Sequence, residues 1–121
     1  MGVPASTSVQ AANSVCKTEE EALDACMSYL SYLPSCAEDQ APLAEPVAAI
    51  DGVDIAALIP DAENAPFDIK GVINGLIDEG SFFEIKQRFA KEIVTGFARL
   101  EGAPIGIVAN NSKYLGGVLF K

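Results

Sequence analysis

The 121-residue chain contains no histidine and no tryptophan. The first absence excludes Ser-His-Asp and Cys-His nucleophilic chemistry and most transition-metal sites, because imidazole serves as the base or the ligand in each. Cysteine is scarce. Cys16, Cys26 and Cys36 lie ten residues apart, which matches neither zinc-ligand spacing nor a redox C-x-x-C pair, so no metal is expected. A sparse, odd set of thiols fits a reducing compartment, cytoplasmic or, in a eukaryote, the mitochondrial matrix. Basic residues are also few, 8 against 17 acidic ones for a formal charge of −9. Such a chain repels phosphate backbones and anionic lipid surfaces, so neither nucleic acid nor a membrane is an expected partner. No apolar run approaches the ~18 residues of a membrane-spanning helix. The opening MGVPASTSVQAANSVCK lacks the basic-then-apolar order of a secretory signal. Gly2 and Ser6 match the loose pattern for N-myristoylation, one short enough to arise by chance.

What the chain does have is apolar surface. Half of its residues are hydrophobic, enough for one small core. Thr18 and Glu21 have the spacing of a capping box, and Ala22, Leu23, Cys26, Met27 and Leu30 follow at helical spacing, predicting an amphipathic helix over 19–32 with Cys26 on its core face. From 35 to 66, prolines at 42, 46, 60 and 66 interrupt any regular element and predict an extended connection, with 55–59 (IAALI) forming at most one anchoring helical turn. Asp68 is the expected N-cap of another helix, with Phe67 stapling onto Val72, apolar residues Ile69, Val72, Ile73, Leu76 and Ile77, and a stop at Gly80. Gly71 and Gly75, four residues apart, predict close packing against another backbone. Strands are then expected at 82–86, 93–100 and 105–109, the last buried on both faces, with Glu101-Gly102 turning the chain between the second and third. Because these elements do not close a sheet, the open edge needs a cover.

Candidates for acid–base work are limited to carboxylates, and Glu19-Glu20-Glu21 and Asp78-Glu79 read as solvated helix ends. Gly116-Gly117 lacks both G-x-G-x-x-G and a G-K-[ST] ending, so it is weak as a phosphate loop. The residues alone give an α/β unit with a Gly-Gly turn near its end.

Four stretches add more: SYLP at 31–34, IPDAENAPFDIKGVINGLIDEGSFFEIK at 59–86, FAKEIVTGFARLEGAPIGIVANN at 89–111 and YLGGVLF at 114–120. In order and spacing they resemble the carboxyltransferase (beta) subunit of biotin-dependent acyl-CoA carboxylases, of the propionyl-CoA carboxylase and methylmalonyl-CoA carboxyltransferase type. The resemblance covers residues 17–120 and implies an α/β fold, a partial crotonase-like ββα spiral preceded by an inter-domain helix and a Pro-rich linker. It divides the chain into an unmatched tail at 1–17, an inter-domain helix and linker at 18–66, and the start of a biotin-side domain at 67–121 that is cut short at Lys121. The implied reaction moves a carboxyl group between carboxybiotin and a short acyl-CoA, with backbone N–H groups in place of a side-chain base. Biotin is then the implied cofactor, with acyl-CoA, a biotin carrier protein, a biotin carboxylase subunit and further copies of the same subunit as partners. Gly116 and Gly117 become the implied substrate-binding residues, through backbone N–H groups near the biotin site. The zinc ribbon of some acetyl-CoA carboxyltransferases is absent. The segment is expected to be inactive alone; the alternatives are an interaction module docking on a full-length subunit and an inactive structural remnant.

Overall fold

Thr18 opens the first helix as its spacing predicts. In the computed structural model, which describes residues 13–62 and 64–119, the Thr18 hydroxyl accepts the N–H of Glu21 at 3.1 Å and α1 runs Glu19–Leu30. The Glu21 carboxylate returns to the N–H of Lys17, one residue before the position that a standard capping box satisfies. Gly2 and Ser6 lie outside the described residues. The apolar stripe of α1 is uncovered: Leu23, Met27 and Leu30 are exposed, and so is Cys26. The expected core cysteine is therefore corrected. Among the described residues the helix docks at its C-terminal end, where Tyr29 and, just beyond the helix, Tyr32 pack their rings on Phe83 and Phe97.

Residues 33–54 form an extended strap with no helix or strand. A short α2 (Ile55–Leu58) follows, capped by the Asp54 carboxylate, which accepts the N–H groups of Ala56 and Ala57. Asp68 caps α3 (Ile69–Leu76) by accepting the N–H of Lys70 at 3.1 Å. This helix stops at Ile77 and not at Gly80, because the Asp78 N–H leaves the helical register to donate to the Arg99 carbonyl at 2.9 Å. Gly71 and Gly75 face side chains and not a backbone: a Cβ at Gly75 would lie 2.9 Å from Val53 Cγ1 and 3.1 Å from Ile55 Cγ1.

Three antiparallel strands, β1 (Phe83–Ile85), β2 (Ile93–Leu100) and β3 (Ala103–Asn110), form one sheet in that order. Val94 and Ala98 on one face of β2 meet Ile73 and Ile77 of α3, and Ile105, Ile107 and Ala109 of β3 complete this core. The opposite face carries Phe97 and receives Tyr29 and Tyr32, so helices lie on both faces of the sheet. β3 is not buried on both faces as expected. Its side chains alternate, with Val108 75% exposed, the pattern of a strand covered on one side. Leu76 is 55% exposed, because the stripe of α3 is wider than the sheet beneath it and Ile73 and Ile77 already occupy the contact.

Candidate functional site

β3 ends at Asn110, and the chain there makes a left-handed turn over Leu115–Gly117, with φ of 45°, 64° and 73° at the three positions. Glycine accepts that conformation freely, whereas Leu115 bears a penalty of about 1 kcal/mol. The Gly117 N–H donates to the Tyr114 carbonyl at 2.8 Å, and the Gly117 carbonyl accepts Asn110 Nδ2 at 3.0 Å. Gly117 is buried, and a Cβ there would touch Asn110 Cβ and the Ser112 nitrogen at 3.5 Å. Gly116 differs: it is exposed, and a Cβ would meet nothing within 4 Å. The two glycines expected to act together are thus distinct, one committed to the turn and the other open to approach.

Asn111 anchors the start of this segment. Its N–H donates to the Glu92 carbonyl at 2.7 Å, its Oδ1 accepts the Lys113 N–H at 3.3 Å, and its carbonyl accepts the Tyr114 N–H. Beside it lies a cavity of about 240 Å³ whose walls include Lys70, Glu84, Arg88, Lys91, Asn111 and Tyr114. Lys70 pairs with Glu84 at 2.7 Å. Lys91 Nζ stands 5.6 Å from the centre of the Tyr114 ring, within cation–π range. None of these cations was singled out from the sequence; the available signal was that four of the eight basic residues fall between 70 and 91.

Asp78 is not the solvated helix end that its position predicts: it is 4% exposed, and its carboxylate accepts the N–H groups of Glu101 and Gly102, each at 2.8 Å. Burial pushes the Asp78 carboxyl up, but the N–H groups of Gly102, Glu101 and Val47 and the nearby Arg99 guanidinium outweigh it and hold the carboxyl below its ordinary value. Arg99 in turn donates to the carbonyls of Pro42 (2.9 Å), Gly102 (3.0 Å) and Ser31 (2.8 Å) and stacks over the Tyr32 ring at 5.0 Å. The Tyr32 hydroxyl donates to the Ser81 carbonyl, and burial pushes its phenol up against the opposing pull of Arg99. These groups brace the β2–β3 turn against the strap and α1 at the opposite end of the hairpin from Gly116. Among the described residues no group of three or more metal-ligating side chains is found, and no helix is long and apolar enough to cross a membrane.

Comparison with known sequences decides the relationship, since the carboxyl transferase domain profile matches residues 11–121. The chain belongs to the carboxyl transferase domain family. It is 49% identical over 106 residues to an uncharacterized carboxylase of Bacillus subtilis, YngE, covering 86% of this chain and 20% of that protein. It is 44% identical over 104 residues to the carboxyltransferase subunit of propionyl-CoA carboxylase from Haloferax mediterranei, covering 84% and 20%. Among solved structures, the transcarboxylase 12S hexamer with hydrolyzed methylmalonyl-CoA bound superposes with a TM-score of 0.80 at 27% identity, over 87% of this chain and 21% of that one. A single-chain, multi-domain long-chain acyl-CoA carboxylase gives 0.80 at 26% over 93% and 10%. The chain therefore spans about a fifth of the length of its curated relatives, and its mixed helix-and-sheet architecture is that of a carboxyltransferase segment.

Proposed function

We propose that the chain contributes to a carboxyltransferase that moves a carboxyl group between carboxybiotin and a short acyl-CoA of the propionyl or methylmalonyl type. The observation that carries this reading is the family match over residues 11–121. Within it, residues 18–66 act as inter-domain helix and linker, and 67–121 open the biotin-side domain of a ββα spiral. Biotin supplies a carrier nitrogen for the carboxyl group and arrives on a carrier protein charged by a biotin carboxylase subunit, while further copies of the carboxyltransferase complete the assembly. The chain's own contribution is backbone approach at Gly116, which Gly117 and Asn110 hold in its left-handed turn. One feature supports such a contact: the space over Gly116 is open to a ligand.

The test places Gly116→Ala in a full-length carboxyltransferase subunit carrying this segment and follows carboxyl exchange between methylmalonyl-CoA and biotin. A methyl group at Gly116 meets no protein atom, so stability should fall by only about 1 kcal/mol, while the methyl obstructs approach to the N–H and turnover drops on the order of 10²-fold, as when one oxyanion contact is lost. Normal specific activity of the folded variant would remove the claim. The 121-residue chain alone should show no exchange above a protein-free control.

A second reading, docking on a full-length subunit without catalysis, is favoured by the groove of about 540 Å³ beside α1, which includes Cys16, Cys26, Tyr29, Leu30, Phe83 and Ile85.

A further inference from the structure

We propose that the cavity between α3, the 86–92 loop and the end of β3 binds a small oxyanion, a phosphate or carboxylate group. This does not depend on carboxyl transfer. The first argument is local charge: Lys70, Arg88 and Lys91 face a single carboxylate, Glu84, across about 240 Å³, in a chain whose formal charge is −9. Only Lys70 is neutralised, by its 2.7 Å contact with Glu84; among the described residues Arg88 and Lys91 make no ion pair. Two unpaired cations sharing a concave wall repel each other, and an anion between them relieves that repulsion.

The neutral part of the same wall is held in place. Asn111 is 2% exposed and lines the cavity. Its Oδ1 accepts the Lys113 N–H at 3.3 Å, and among the described residues no buried side-chain nitrogen or oxygen is left without a partner. The loop carrying Arg88 and Lys91 is also specifically shaped: Lys86 and Ala90 adopt left-handed φ of 57° and 48°, and the Phe89 and Ile93 N–H groups close turns onto their carbonyls at 2.8 and 3.0 Å. Left-handed backbone at two non-glycine residues is uncommon and is retained where it aims side chains. The volume lies below the ~300 Å³ at which pockets for whole drug-sized ligands begin, so the site takes a small anion or one anionic group of a larger molecule.

The test is a titration of the ¹⁵N-labelled 121-residue chain, at constant ionic strength, with inorganic phosphate, malonate and adenosine 3′,5′-bisphosphate, read from amide shifts. Saturable shifts are expected at Lys70, Arg88, Lys91 and Asn111. R88Q with K91Q should weaken binding at least tenfold, and E84Q, which removes the opposing carboxylate, should tighten it several-fold. K113Q, which removes one charge outside the cavity, should leave binding unaltered. Tighter binding of the bisphosphate than of free phosphate identifies the anion as a group on a larger ligand, and the reverse identifies a free anion. Shifts that fail to saturate, an effect of K113Q equal to that of R88Q with K91Q, or unchanged affinity in E84Q would each overturn the site.

Discussion

Gly102→Ala is the substitution whose cost the structure lets one divide into parts. The residue sits at φ +79°, and a Cβ there would fall on the Ala44 carbonyl oxygen of the strap, 3.1 Å from the Ala44 carbonyl carbon and 3.4 Å from Pro46 nitrogen. Left-handed backbone at an alanine costs about 1 kcal/mol. The clash forces the strap away and breaks the 3.0 Å bond from the Ala44 N–H to the Gly102 carbonyl, which removes about 1 kcal/mol more. Lost strap packing brings the expected total to about 2–4 kcal/mol. Gly80→Ala is the internal control, with φ +72° and nothing within 4 Å of its Cβ, so it should show the backbone term of about 1 kcal/mol alone. Urea melts of both variants measure the difference. Equal destabilisation would refute the claim that the strap is seated on the hairpin turn.

Two further outcomes follow from burial and titration. Ile73→Ala should cost about 2–4 kcal/mol, because Ile73 lies in the core between α3 and β2; Leu76→Ala, on an exposed side chain, should cost less than about 1 kcal/mol in the same melts. Asp78 has a folded-state carboxyl held below its ordinary value, so the unfolded chain takes up the proton more readily. Its contribution is therefore full above the ordinary carboxylate range and is lost as pH falls through the lower folded-state value. Asp78→Asn should flatten the acid limb of a stability–pH profile, and an unchanged limb would show that the carboxylate has no such role.

Local signals carried the reading where they act locally. Thr18 and Asp68 cap the helices their spacing predicts, and β2 has the bounds expected from its run of β-branched and aromatic residues. What periodicity does not contain is the width of the surface on the other side. Leu76 and Ile73 belong to one apolar stripe, yet the sheet beneath α3 covers only one of them. In β3, Ile105, Ile107 and Ala109 face the core, whereas the other face carries Pro104, Gly106, Asn110 and the uncovered Val108. The burial of Asp78 is not legible locally, because its partners, the N–H groups of Glu101 and Gly102, are more than twenty residues away. At the candidate site, Gly116 and Gly117 were visible as a pair, but their division of labour depends on which N–H the Tyr114 carbonyl takes. The cationic cavity is a product of folding, which brings Lys70 beside the loop that holds Arg88 and Lys91.

Arg99 has a consequence for the order in which the chain assembles. Its guanidinium joins the hairpin to Pro42 and Ser31, which precede it by 57 and 68 residues, whereas β2 and β3 meet across the two-residue turn Glu101-Gly102. Closing the short loop costs far less chain entropy than closing the long ones. The hairpin therefore forms first and presents Arg99 as a ready-made set of donors, and the strap with α1 arrives last. The same asymmetry runs in reverse on opening: the early part of the chain can lift from a hairpin that remains intact, so the molecule has two levels of stability, one for the strap with α1 and one for the hairpin.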